Sequence, residues 1–168
     1  MAESLSRRAL FARFRGGPAQ LRPPWALDET SFSDRCTACA RCIEACPEGI
    51  LSAGHGGLPI VTFSRGACTF CAACADACPE ACFTPEREGR PWLLVASVSP
   101  ACIETRGVAC RMCEGACDLS AIRFRPRIGG GSNVLIDVET CSGCGACLSP
   151  CPVGALSVGE PRREEARA

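Results

Sequence analysis

Cysteine occupies 17 of the 168 positions, and its spacing constrains the fold more than any other feature of the chain. Cys36, Cys39, Cys42 and Cys46 precede Pro47; Cys68, Cys71, Cys74 and Cys78 precede Pro79; Cys141, Cys144, Cys147 and Cys151 precede Pro152. Each stretch reads C-x2-C-x2-C-x3-C-P. Thiols three or four residues apart suit a shared centre better than well-separated staples. The odd count and the lack of a secretory leader before them also argue against a disulfide framework. A structural zinc takes two Cys-x2-Cys pairs separated by a longer loop, which is not this pattern. Three cysteines two residues apart wrap three corners of an iron–sulfur cubane, and a fourth after a short turn points to a second cubane. The proline then stops any local helix and redirects the chain.

The stretches pair by position. Cys36 and Cys68 start 32 residues apart, and Cys110 and Cys141 are 31 apart, so the chain reads as two similar units in tandem. With the fourth cysteine crossing over, Cys36, Cys39 and Cys42 take Cys78, and Cys68, Cys71 and Cys74 take Cys46. In the second unit Cys141, Cys144 and Cys147 take Cys117. Cys110, Cys113 and Cys151 remain and lack one ligand.

The missing ligand lies in "CIETRGVACRMCEGAC", residues 102–117, where Gly107 stands at the usual first-cysteine position. Cys82 and Cys102 are the two thiols left. After each fourth cysteine the chain reads "CPEGIL", "CPEACF", "CDLSAI" and "CPVGAL", which aligns Cys82 with Ile50, Ala121 and Ala155. That is a small apolar slot, where cysteine serves as a buried hydrophobe. Cys102 instead follows the apolar run "WLLVASV", as Cys68 follows "PIVTF" and Cys141 follows "VLIDV". Cys102 is therefore expected as the fourth ligand, with "IETRGVA" as an enlarged loop. Sixteen cysteines then hold four [4Fe–4S] clusters, and Cys82 is not a ligand.

The expected fold is small α+β: two tandem 2[4Fe–4S] units with short strands, short helices and many loops. Strands are expected near 59–63, 92–98, 121–125 and 133–138, with helical turns between each third and fourth cysteine. Such units carry little apolar core, so the metal acts as the staple. The expected division is a basic N-terminal segment and tether over 1–30, units over 31–88 and 89–160, and a charged tail over 161–168. "PEREGRP" at 85–91 reads as the linker and "LRPPW" at 21–25 as a stiff extended tether. His55, the single histidine, falls in the glycine-rich loop 54–57 and is expected as a solvated loop residue rather than a metal ligand.

The formal charge is zero, with 18 arginines, no lysine and no tyrosine, so bulk charge gives no argument for nucleic acid or membrane. "SRRALFARF" at 6–14 places two arginines before apolar residues, yet Arg13 and Arg15 interrupt any export-type apolar region. It reads instead as a short amphipathic helix with Leu10, Phe11 and Phe14 on one face, suited to docking a partner. No apolar run reaches membrane-spanning length. No phosphate loop, nucleophile triad or carboxylate pair marks the chain as an enzyme.

Three regular runs, a third run stretched to C-x7-C-x2-C-x3-C, the "SRR…F" opening and "RPPW" together resemble the NapF family, ferredoxin-type accessory proteins of periplasmic nitrate reductase systems. The resemblance spans residues 6 to about 157. It implies a cytoplasmic electron-transfer protein that contacts the catalytic molybdenum subunit of the reductase before export and serves its maturation.

Overall fold

The computed structural model describes residues 20–87 and 89–161. The amphipathic helix expected over 6–14 and nearly all of the charged tail lie outside the described residues. Secondary structure is short throughout, because cysteine loops and turns consume most of the chain. Helices α1 (Glu29–Arg35), α2 (Arg41–Glu44), α3 (Ala73–Asp76) and α4 (Met112–Gly115) alternate with strands β1 (Leu51–Ala53), β2 (Pro59–Val61), β3 (Val95–Val98), β4 (Ile122–Pro126), β5 (Ser132–Ile136) and β6 (Leu156–Gly159). No described helix is long and apolar enough to cross a membrane.

The two halves share one plan. Each has an inner antiparallel hairpin, β1–β2 paired Leu51↔Val61 and β4–β5 paired Ile122↔Ile136. Each is closed by a contact between its two ends. In the second half this is the β3–β6 ladder, Val95↔Gly159 through Val98↔Leu156; in the first it has shrunk to one bridge, Ala26↔Phe83. The repeats set this plan. Ile50, Cys82, Ala121 and Ala155 are all buried, at 1–3% exposure, and the next residue in each case opens a strand or bridge. The expected strands form within two or three residues of their predicted limits. β1 and β6 were not anticipated, since neither carries a run of β-branched residues.

Helix α1 was also not anticipated. The Asp28 carboxylate accepts the Ser31 amide at 3.1 Å and caps it, with Glu29 in the first turn and Arg35 in the last. Its buried face is Phe32, fully enclosed and edge-on to Phe83 at 5.9 Å. Helical turns α2, α3 and α4 lie at the third cysteine of the first three runs, and the fourth run has a hydrogen-bonded turn, Leu148 N–H to Gly145 O and Cys151 N–H to Leu148 O.

The segment expected as a stiff extended tether is bound to the first unit along its length. Leu21 O accepts from Val61 N, Trp25 O accepts from Thr84 N, and Trp25 N donates to Pro91 O, each at 2.8 Å. Arg22 pairs with Glu29 at 2.6 Å and donates to Pro59 O at 3.0 Å. The polar linker is held in the same way: Arg87 pairs with Asp76, and Arg90 donates to Val138 O and Cys141 O. Arginine forks turn both apparent spacers into packed straps.

The halves meet at an aromatic ladder. Trp25, Phe70, Trp92 and Phe63 stack edge-to-face in that order, with centroids 6.3, 5.6 and 6.3 Å apart. Trp92 Nε1 donates to Ser142 O at 2.7 Å. Leu148 and Val158 pack against the buried clusters of both halves. The fit depends on Gly145, which has φ +82°; a Cβ there would lie 2.2 Å from the Phe63 ring. Gly145→Ala should therefore lower the melting temperature of the metal-loaded protein far more than Gly49→Ala. Gly49 has φ +61° with open space around it, so its replacement costs only about 1–2 kcal/mol of backbone strain.

Candidate iron–sulfur centres

The loops that carry the cysteines have an unusual backbone. Ala38 and Ala40 in the first run, and Phe70 and Ala72 in the second, hold φ between 54° and 63°. Left-handed residues alternating along a loop turn successive amides inward and form a concavity for a negatively charged group. Non-glycine residues there cost about 1–2 kcal/mol each, so the loop shape is strained toward that purpose. The fourth run places Gly143 and Gly145 at the same two positions, where the conformation is free.

These loops collect the thiols into sets. Cys36, Cys39, Cys42 and Cys78 line one cavity, which Cys82 and Phe32 also line. Cys46, Cys68, Cys71 and Cys74 line a second, with Trp25 and Phe70. Cys102, Cys110, Cys113 and Cys151 line a third, with Met112 and Val153. Cys117 packs on the buried cluster that contains Cys141 and Cys147, and the Cys147 thiol is pushed up to about 12 by burial and then by Cys141 and Cys144. Three cavities are each lined by four cysteines that the spacing groups together, and Cys117 shares a buried cluster with Cys141 and Cys147.

Burial dominates the electrostatics. It raises Cys42 and Cys68 to about 11 and Cys74 to about 12, and neighbouring thiols add to it. Cys113 is raised by burial and then by Cys102 and Cys151. Neighbours also act across sets: Cys42 on Cys74, Cys144 on Cys68, and Cys113 on Cys147. Cys82 rises to about 12 through burial and then through Cys78 and Cys36.

The stretched run departs from the left-handed pattern. Arg111 holds φ −130° where the other runs are left-handed, and Gly107, at φ +89°, ends a tight helical turn over Glu104–Arg106. That turn is ordered. Thr105 Oγ1 donates to Cys102 O at 2.7 Å, and Arg127 donates to Thr105 O at 3.0 Å. The buried Glu104 carboxylate accepts the Cys110 amide at 2.5 Å. This bond first, and the Ser132 hydroxyl second, hold the Glu104 pKa below the usual carboxylate value. The loop is thus a built replacement for the lost first cysteine position, and it delivers Cys102 to the cavity.

The donor sets fit a cluster better than a single ion. Among the described residues, no group of three or more His, Cys, Asp or Glu side chains is placed around a single metal ion; three sets of four thiols instead line cavities. Backbone amides already point at sulfur: Ala96 N–H to Cys141, Ala121 N–H to Cys117 and Ala155 N–H to Cys151, at 3.4, 3.3 and 3.2 Å. Such bonds stabilise thiolates at iron–sulfur centres. The Trp25 indole nitrogen is buried without a protein partner among the described residues, and its ring lines the second cavity, so it is a donor available to a bound group.

Two family models described as "4Fe–4S dicluster domain" match residues 35–83 and 106–155. A "Ferredoxin-type protein NapF" of Escherichia coli (strain K12) is 43% identical over 153 residues, covering 90% of this chain and 93% of that protein. The chain belongs to the NapF family. The NapF of Haemophilus influenzae is 41% identical over 145 residues, covering 86% and 82%. A "Methylamine utilization ferredoxin-type protein MauM" of Paracoccus denitrificans is 30% identical over 155 residues, covering 82% and 69%. Membership in the NapF family makes the chain an iron–sulfur protein of the ferredoxin type, with tandem dicluster modules. The second model match begins at residue 106, after Cys102, so Cys102 stands on its place at the third cavity.

Sequence reasoning did not foresee the fifth thiol at the first cavity. Alignment placed Cys82 in an apolar slot, where it is 1% exposed, but its four-residue offset from Cys78 also brings it beside Cys78 and Cys36. Glu104 and Trp25 were likewise not assigned to the site. The sets lead to a sharp expectation. Iron per chain should fall to about three-quarters in Cys102→Ala and hold steady in Cys82→Ala; the reverse result would move the ligand from Cys102 to Cys82.

Proposed function

We propose that the chain binds four [4Fe–4S] clusters and works in the cytoplasm as an electron-transferring maturation factor for the catalytic molybdenum subunit of a periplasmic nitrate reductase. The ligand sets would be Cys36, Cys39, Cys42 and Cys78; Cys46, Cys68, Cys71 and Cys74; Cys102, Cys110, Cys113 and Cys151; and Cys117, Cys141, Cys144 and Cys147. Bound clusters supply reversible one-electron carriage. The chain's own residues supply the rest. The loops gather the thiols, the aromatic ladder packs the junction between the halves, and Glu104 fixes the enlarged loop. The chain acts as a carrier rather than an enzyme. The observation that carries this reading is NapF similarity along 90% of the chain, supported by three cavities each lined by four cysteines that the spacing groups together.

Residues 1–25 are the proposed docking segment for the molybdenum subunit, with units over 31–88 and 89–160 behind it. The basic and apolar composition of residues 6–14 supports this, since such a segment can lay an apolar face into a partner's groove. The similarity to MauM favours a second reading, a general ferredoxin-type carrier for another redox enzyme.

Anaerobic capture from native extract, with the metal-loaded chain as bait and identification of bound proteins, separates the two. The expected partner is the nitrate reductase molybdenum subunit, and deletion of residues 1–19 should abolish its capture while leaving iron content unchanged. Capture of a different redox enzyme in its place would favour the second reading.

A further inference from the structure

Tandem units of this kind can be joined in several ways, and chain order alone would set the thiol sets in the order of their runs. The packing gives another order. The Cys68 amide donates to Cys144 O at 2.8 Å, so the binding loops of the second and fourth runs are hydrogen-bonded across the halves. Phe63, five residues before Cys68, lies against Gly145 of the fourth run. Trp92 stacks on Phe63 and Phe70 and donates to Ser142 O. Among the described residues, no hydrogen bond, ion pair or ring contact joins the loop of Cys36–Cys42 or the loop of Cys102–Cys113 to the opposite half.

Within the first half, the one-turn helices α2 and α3 pack together and put Cys42 and Cys74 in one buried cluster. Within the second half, Cys113 packs on the cluster built from Cys141 and Cys147. We propose that the four thiol sets stand in a single series, first–second–fourth–third, with the Cys68–Cys144 contact as the junction between the halves. The first and third sets are then the ends of the series, and the enlarged loop with Glu104 sits at one end. This rests on the four-cluster reading and adds to it an order that neither spacing nor membership in the family supplies.

Spin coupling reads the order directly, because neighbouring reduced clusters broaden each other's paramagnetic resonance. The probe is the full chain, loaded anaerobically and reduced with a low-potential reductant. Cys71→Ala removes the second set, and should leave one isolated, unbroadened signal integrating to about one spin per chain, beside a coupled pair. Cys39→Ala removes the first set and should leave three coupled spins with no isolated signal. The mirror variants Cys144→Ala and Cys110→Ala give the same decision from the second half, should either first-half variant fail to fold. An isolated spin in Cys39→Ala or Cys110→Ala, or none in Cys71→Ala and Cys144→Ala, overturns the order. Iron in the unaltered chain separates the two levels: iron for fewer than four clusters overturns the cluster reading and this order with it, whereas four clusters with the wrong coupling pattern overturn the order alone.

Discussion

Burial holds the thiols of Cys42 and Cys68 at about 11 and those of Cys74 and Cys147 at about 12, and the rest of the structure depends on how that energy is recovered. A cluster ligand must be a thiolate, yet the folded, metal-free chain keeps these groups protonated. The sign follows. The unfolded chain releases these protons near the ordinary value of 9.0, while the folded chain releases them only at about 11–12, so the metal-free fold loses stability as pH rises from about 9 through 12. Metal loading displaces the same protons, which couples cluster binding to folding. With strands of three to five residues and five cysteines among the buried core residues, little else can hold each half together.

Much of this architecture is legible in the cysteine spacing because a cluster site is local: three ligands within seven residues and a fourth one period away. The same repeats predicted the burial of Ile50, Cys82, Ala121 and Ala155. The placement of Cys102 came from its position after an apolar strand rather than from the motif. What the spacing does not carry is long-range. The Cys68–Cys144 contact joins residues far apart in sequence, and nothing in either run marks it. The straps over 21–25 and 85–91 read as spacers by composition, and backbone bonds from Leu21 and Trp25 together with the arginine partners Glu29, Pro59 O, Asp76 and Val138 O turn them into packed structure. Helix α1 had a legible cap at Asp28, but its single buried residue, Phe32, gave no periodicity.

The enlarged loop shows how a motif can depart from its pattern and keep its site. Inserted residues move the leading cysteine of the run from 107 to 102, where it lines the third cavity, and the left-handed residues of the other runs are lost. Their structural role passes to a buried carboxylate that accepts the Cys110 amide, and to a hairpin, β4–β5, that closes against the loop through Gly131, whose Cβ would lie 2.8 Å from Glu104 O. The Glu104 carboxylate beside the third cavity and the fifth thiol, Cys82, at the first make these thiol-lined environments unequal.

The most direct measurement is iron and acid-labile sulfide per chain on protein prepared without oxygen, with Mössbauer spectroscopy to assign cluster type. The account expects about sixteen irons and about sixteen sulfides per chain, all in cubane clusters. About twelve irons in three clusters, or zinc at the cysteine sets, would contradict it.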